Sequence, residues 1–437
     1  MEKIKRGAAE SLMMSGFIRS VSVESFSWLA ASVHSLFYHR DECWVSDLAN
    51  MADAGLKRAV IIFAPSAGEV MSMLPLLNLL KSSRPDTPIL VLTTTNSGAA
   101  AARNRGLYAA RSALAARSVY RRLIDRIEPK GLIIVQVSYA PGLLLDLMAE
   151  AKSCGLPAVV VNGSLPDRDI RRASSVFYRS RSWVYDVISA FCMRSAEDAD
   201  RVIRLGVQPS KVRVAGDMKY DAALEIVDEE RLRMLVEELG LAGVPVVAAG
   251  STHSGEERIV LDAFRRLCDK IGYARLIVAP RSLSRAGEVR TLARDMGFTA
   301  EFRSASEGLS NAQVIVLDSI GELSTIYGAA DVCFVGGTLV PVGGHNVLEP
   351  AAWGRPVLFG EHTEHTADAA ELLLGGGGAA VVNCAEDLSE RLIELIVDSE
   401  LRRKMGESAF SSVRSMAGAS KACFDVIERV IFGSSNG

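Results

Sequence analysis

The chain has 437 residues, 49% of them apolar and 23% charged, with a formal net charge of −3. Single cores rarely grow beyond roughly 250–300 residues, so this length points to two domains, and the composition excludes a disordered tail. Seven cysteines with no C-x-x-C pair exclude a zinc ribbon and a disulfide scaffold and suit a reducing cytoplasm.

Residues 1–56 mix Phe17, Trp28, Leu36 and Phe37 with Arg19, His34 and Arg40. They read either as an amphipathic segment on a membrane surface or as a helix packed on the domain. No apolar stretch is long and unbroken enough to span a bilayer, and no signal-peptide pattern follows the basic start. From Ala59 the pattern becomes regular. Strands are predicted at Ala59–Ala64, Ile89–Thr94, Gly131–Val137 and Ala158–Asn162, separated by helical stretches. Short continuous apolar strands alternating with helices predict a parallel sheet covered on both faces. The pattern restarts after the charged stretch Asp228–Glu238 and the turn Gly240–Gly243. Further strands are predicted at Val244–Ala249, Arg275–Ala279, Val314–Leu317, Val332–Val335 and Pro356–Phe359, and a last helix over Ser420–Ile431. The division expected is a segment 1–56, a Rossmann-like domain 57–235 and a second one 240–437. Two doubly wound units enclose a cleft, and ligands in such sheets bind beyond the carboxyl ends of the strands.

Charge is uneven along the chain. Residues 1–130 hold 17 Lys/Arg against 11 Asp/Glu, and Arg103–Lys130 alone holds eight basic and two acidic residues. That stretch reads as a solvated helix face or as a surface for anionic lipid or an anionic substrate. No nucleic-acid partner is expected, because the whole chain is mildly acidic and no basic motif is interleaved with aromatics.

No P-loop is present and no G-x-G-x-x-G follows the first strand, which disfavours nucleotide hydrolysis and dinucleotide-dependent hydride transfer. His362 and His365 have no third ligand nearby in sequence and read as surface or helix-start residues rather than a metal pair. The informative stretch is Asp318–Gly360. There a strand is followed by Gly336-Gly337, Gly343-Gly344 and then Asn346-Val347-Leu348-Glu349 opening a helix. Glycines allow close backbone approach, and a helix start favours phosphate, with Glu349 placed for ribose hydroxyls. The same Asn and Glu also fit a plain capping box. Ser254 and Glu257 match another capping box, and Arg281 leaves the end of a strand, suited to a phosphate or to a surface ion pair. Glu69, in PSAGEV, fits a general base facing the cleft or a residue stabilising its own helix start.

Together these segments resemble the bacterial 3-deoxy-D-manno-octulosonic acid (Kdo) transferases of lipid A biosynthesis, which have the GT-B fold. The matching segments are Pro65–Glu69, Thr93–Ala99, Ser195–Val207, Val214–Asp221, Ser251–Glu257, Ala279–Arg281 and Ile320–Pro350. The resemblance implies CMP-Kdo as donor, a lipid A precursor as acceptor, no metal or other cofactor, and peripheral attachment at the cytoplasmic face of the inner membrane. It makes Glu69 the catalytic base and Lys219 a lysine that stabilises the transition state. It assigns CMP contacts to Pro280 and Arg281, to Ile320, Gly321 and Glu322, and to Asn346, Val347, Leu348 and Glu349.

The chain departs from the family in its first half. Gln136 and Ser138 stand where relatives carry the two carboxylates of E-x-E, Asn162-Gly163-Ser164 replaces Asn-Ala-Arg, and Ser282-Leu283 follows Pro280-Arg281 in place of His-Pro. The nucleotide half of the site is thus mostly kept and the acceptor half altered. The alternatives to Kdo transfer are a divergent relative using another CMP-activated sugar or acceptor, and a non-catalytic CMP-sugar-binding protein.

Overall fold

The computed structural model describes residues 56–111, 117–136, 145–166, 183–305 and 309–433. The expected membrane segment, apart from Leu56, and Ser138 lie outside the described residues. Two parallel sheets of seven strands organise the rest. The first comprises β1 Val60–Phe63, β2 Ile89–Thr93, β3 Tyr108–Arg111, β4 Gly131–Val135, β5 Ala158–Gly163, β6 Ile188–Met193 and β7 Val212–Val214. The second comprises β8 Val246–Thr252, β9 Arg275–Pro280, β10 Ala300–Phe302, β11 Val314–Val316, β12 Val332–Val335, β13 Val357–Phe359 and β14 Ala379–Val381. The central strands VIIF, ILVLT and GLIIV are buried along their whole length, as a sheet covered by helices on both faces requires.

Strand order decides where a ligand can go. The first sheet runs β3-β2-β1-β4-β5-β6-β7 and the second β10-β11-β9-β8-β12-β13-β14. The chain winds outward from β1 to one side and resumes at β4 on the other; in the second sheet it runs from β8 through β9 to the edge strand β10, returns to β11 between β9 and β10, and resumes at β12 on the other side. Each sheet therefore has a switch point, β1/β4 and β8/β12, where the loops leave in opposite directions and open a crevice at the carboxyl ends.

The five strands that periodicity did not predict are β6 and the four edge strands β3, β7, β10 and β14. The edge strands YAAR, VRV, AEF and AAV are only partly buried and carry Arg, Glu or Ala where the equally short inner strands VIV and VLF are fully buried apolar runs, so no apolar run marks them. The stretch Asp228–Glu238, expected to mark a boundary, is instead the helix Glu229–Leu239. Asp228 caps it by accepting from Arg231 N at 2.9 Å, and Gly240 ends it at φ +62°. Its Leu235 and Leu239 lie in the core of the second sheet, as do Tyr220 and Ala223 of the preceding helix Met218–Glu225. The last helix, Ala419–Ile431, returns to the first core, where Ala419, Cys423, Val426 and Ile427 are buried. The cores thus divide the chain differently from the expected limits 57–235 and 240–437, because the apolar faces of these helices complete the opposite sheet. Among the described residues no helix is long and apolar enough to cross a membrane.

Candidate functional site

Glu69 follows β1, on the first turn of the helix Ala67–Ser72. Its Oε2 accepts from Ser66 N at 3.0 Å and from Ser66 Oγ. The helix-start role is therefore real, yet both bonds fall on one oxygen, so the carboxylate can keep its cap and still offer Oε1. Across the same switch point, Gln136 follows β4 with φ +56°, a left-handed conformation that costs a non-glycine residue energy and is concentrated at functional sites. Asn162, at the end of β5, is also left-handed, at φ +51°. Its Oδ1 accepts from Met218 N at 3.0 Å, which ties this strand end to the helix carrying Lys219.

Lys219 stands between the two halves. Its Nζ is 3.6 Å from Asp217 Oδ2 and 3.9 Å from Asp368 Oδ2, the latter on the helix Ala367–Gly375 of the second domain. Arg194, after β6, donates to Asp217 at 3.4 Å and to Ser164 Oγ. A guanidinium thus stands beside Ser164. Burial, reinforced by Asp217 and Asp368, pushes the neighbouring Tyr220 hydroxyl up to about 12.

The second switch point is built around a buried carboxylate that the motifs did not single out. Glu256 is fully buried and accepts from His253 N at 2.8 Å, Gly337 N at 2.7 Å, Thr338 N at 3.0 Å and Leu339 N at 2.9 Å. The first glycine pair therefore serves this internal clamp instead of presenting free N–H groups to a phosphate. A Cβ on Gly336 would lie 2.7 Å from Ser251 O and 2.9 Å from Glu256 Oε2, so only glycine fits. Glu257 does not close a capping box with Ser254; it is buried against Arg285, whose Nη1 lies 2.6 Å from Oε1.

The expected capping box at Asn346 also takes another form. The helix is Leu348–Ala352 with Val347 at its cap. Asn346 Oδ1 accepts from Leu348 N at 3.1 Å, a local turn, while its Nδ2 donates to Glu349 Oε1 at 3.0 Å. Burial raises the Glu349 carboxyl, opposed by that hydrogen bond.

Arg281 emerges exposed at the end of β9, its N–H bonded to Thr252 O at 2.9 Å, with Pro280 buried behind it. Ile320 is 87% exposed. Gly321 (φ +91°) accepts from Arg231 through its carbonyl, and Glu322 is held by Arg303 at 3.1 Å. These residues sit at or after the carboxyl ends of β9, β11 and β12, around the second switch point.

Two histidines complete the crevice. His253 follows β8 and His345 lies in the loop after β12, with Nε2 atoms 2.8 Å apart. His362 N donates to Thr338 O at 3.0 Å and His365 N to Gly343 O at 2.8 Å, so the other two described histidines brace the same loop from its far side. Sequence spacing pointed to neither His253 nor His345. The usable signal was their position just beyond the two strands that flank the switch point. Among the described residues no group of three or more His, Cys, Asp or Glu side chains could hold a metal ion.

The family model described as 3-deoxy-D-manno-octulosonic-acid transferase (kdotransferase) matches residues 11–222. A 3-deoxy-D-manno-octulosonic acid transferase of Haemophilus influenzae is 29% identical over 378 residues, covering 85% of this chain and 87% of the relative. The transferase of the same description from Aquifex aeolicus is 30% identical over 276 residues, 63% of this chain and 68% of the relative. Among solved structures, UDP-GlcNAc 2-epimerase from Neisseria meningitidis superposes with a TM-score of 0.59 at 12% identity, over 86% of this chain and all of that one. A glycosyltransferase from Rickettsia africae gives 0.54 at 11% identity, over 87% and 100%. At such identities these structures show the fold alone, the two-domain GT-B arrangement.

Proposed function

The chain belongs to the family of 3-deoxy-D-manno-octulosonic acid (Kdo) transferases, which are glycosyltransferases, and on that premise we propose that it moves Kdo from CMP-Kdo to a lipid A precursor, with inversion and without a metal. One observation carries the reading. A carboxylate, Glu69, stands at the first switch point, while Arg281 and Glu349 stand around the second. An inverting transfer needs that opposition: a base for the acceptor hydroxyl on one side of the sugar and charge-stabilising groups for the leaving phosphate on the other.

In this reading Glu69 takes the acceptor proton and Lys219 stabilises charge between the domains. Pro280, Arg281 and the Ile320–Glu322 turn hold CMP, Ile320 offering an apolar face to the base. Asn346–Glu349 receive the ribose through the Glu349 carboxylate. The lipid acceptor is reached from the membrane surface by peripheral contact. Much of the Arg103–Lys130 charge is engaged internally: Arg103 with Ala109 O, Arg111 with Asn96, and Arg117 and Arg121 with Glu150. The attachment then rests more on the N-terminal segment than on this stretch. A transfer assay with CMP-Kdo and a panel of lipid A precursors, read by mass spectrometry, tests the proposal. Absence of any Kdo-bearing product rejects it. Gln136 favours one alternative, a changed acceptor, because the first switch point holds an amide where relatives carry a carboxylate.

A further inference from the structure

We propose that His253 and His345 act together as the proton-bearing contact for the donor's phosphate, taking up one proton as the anion binds. This inference rests on the CMP-sugar reading of the second switch point. The geometry of the pair carries it. The ring planes are within 5° of parallel, the centroids are 5.0 Å apart and the Nε2 atoms 2.8 Å apart. That centroid separation is the N···N distance plus about one ring radius at each end. The rings therefore meet edge to edge with both nitrogens on the line between centres, the arrangement of a linear N–H···N hydrogen bond.

Such a bond fixes the protonation states available. One ring donates from Nε2 and the other accepts there, so at least one imidazole is neutral. A single added proton goes to the free Nδ1 of the donating ring and leaves the bond intact, giving an imidazolium–imidazole pair with unit positive charge. A second would set two N–H groups against each other and break it. The pair thus holds either no charge or one.

Its surroundings set which. Arg281 comes from the end of β9, Glu256 from the helix after β8, and His365 from the loop after β13. Burial first, then His253 and Arg281, lower the His345 pKa; Glu256 opposes them, and His365 adds a smaller lowering. With the crevice empty, these surroundings disfavour a proton on His345. A phosphate between Arg281 and the imidazoles reverses this, because an anion stabilises the protonated form. Both histidines are only half-buried and span the crevice where ligands of doubly wound sheets bind. Gly337 makes room for them: a Cβ there would lie 2.9 Å from His345 Cδ2 and 3.5 Å from His253 Cδ2.

The charge suits the reaction proposed above. When the sugar–oxygen bond breaks, its electron pair stays on the phosphate, which gains one negative charge. The acceptor's proton goes to Glu69, and the pair keeps its own proton beside the departing phosphate. No proton passes between the two centres.

Calorimetry of the full chain with CMP tests this, in buffers of differing ionisation heat between pH 7 and 8.5, where the CMP phosphate is almost entirely dianionic. The expected result is net proton uptake on binding and an affinity that tightens about two- to tenfold from pH 8.5 to 7. His253→Gln and His345→Gln should each abolish uptake and flatten that dependence, with circular dichroism confirming that both variants fold. CMP binding without proton uptake in the unsubstituted protein overturns the inference and leaves the donor site standing. Uptake that persists unchanged in both folded variants overturns it as well. Should neither variant fold, the unsubstituted protein alone decides. No CMP binding at any pH overturns the donor-site reading and this inference with it.

Discussion

Glu69 and Glu256 occupy corresponding places, each on the first turn of the helix that follows the first strand of its sheet. Their surroundings give them opposite roles. Glu256 is fully buried, with four backbone N–H groups on its two oxygens, and has no capacity left for chemistry. Glu69 is half-buried and bonded through Oε2 alone, to Ser66. Glu256 is structural, and Glu69 keeps an oxygen free for the role of base proposed above. Glu69→Gln should keep the helix cap, since an amide oxygen still accepts from Ser66 N, and should lower turnover about 10²- to 10⁴-fold, the usual worth of a general base. CMP affinity should not move, because the nucleotide contacts proposed above lie on the other domain. Steady-state transfer rates beside CMP titration check this, and turnover within a few-fold of the parent would refute the assignment. On the donor side, Glu349→Ala removes the acceptor proposed for the ribose. It should weaken CMP by about 1.5–3 kcal/mol, the range for a hydrogen bond to a charged group. An affinity change below twofold would remove Glu349 from the site.

At the scale of strands and helices, the alternation of apolar runs with helical stretches made the parallel sheets and their central strands legible. The edge strands were not, because a half-exposed strand such as VRV or AEF lacks the continuous apolar run that marks a buried one. Motif reading put Arg281 just past a strand and Glu349 at a helix start, where the structure has them, but misassigned the caps. Ser254 with Glu257 and Asn346 with Glu349 fit a capping box in sequence. The backbone instead delivers Gly337–Leu339 to Glu256 from about 80 residues away, a contact no local pattern records. The basic run Arg103–Lys130 shows the same limit. Arg117 and Arg121, on the helix Arg117–Ile127, converge on Glu150 of the neighbouring helix Leu145–Ser153, which is 3% exposed. These arginines, through Arg121 first and Arg117 next, hold the Glu150 carboxyl down to about 2. A carboxylate with a depressed folded-state pKa adds stability above its unfolded pKa and loses it as pH falls towards the folded value. Unfolding followed by circular dichroism should therefore show the first domain weakening between about pH 4.5 and 2. Glu150→Gln should be less stable at pH 7 and show a shallower loss over that window. An identical acid profile in the variant would place the acid sensitivity elsewhere.

Taken whole, the molecule is two sheets joined by two chain crossings that lie side by side. One is near Gly216, at φ +96°, and the other near Gly418, at φ +116°. A Cβ on Gly216 would touch Ala419 Cβ at 3.4 Å, so the crossings are in contact. Asp221 staples them, its carboxylate accepting from Gly418 N at 2.6 Å and Ser420 N at 2.8 Å. Beyond the second crossing, the last helix is as much a part of the first domain as its own strands. Cys423, Val426 and Ile427 are buried there, Ile431 packs over Gly131 where no side chain would fit, and Glu428 is paired with Arg84. Full burial of Val or Ile contributes about 1.5–3 kcal/mol each. The helix as a whole therefore contributes an amount comparable to the roughly 5–15 kcal/mol that separates folded from unfolded domains. Deleting residues 418–437 should leave the first domain unfolded or aggregated. The second domain keeps its own core, so CMP binding should survive in the truncated chain while transfer is lost. Limited proteolysis and CMP titration read the two halves separately. A truncated chain whose first domain resists protease like the parent's would show that the returning helix is dispensable.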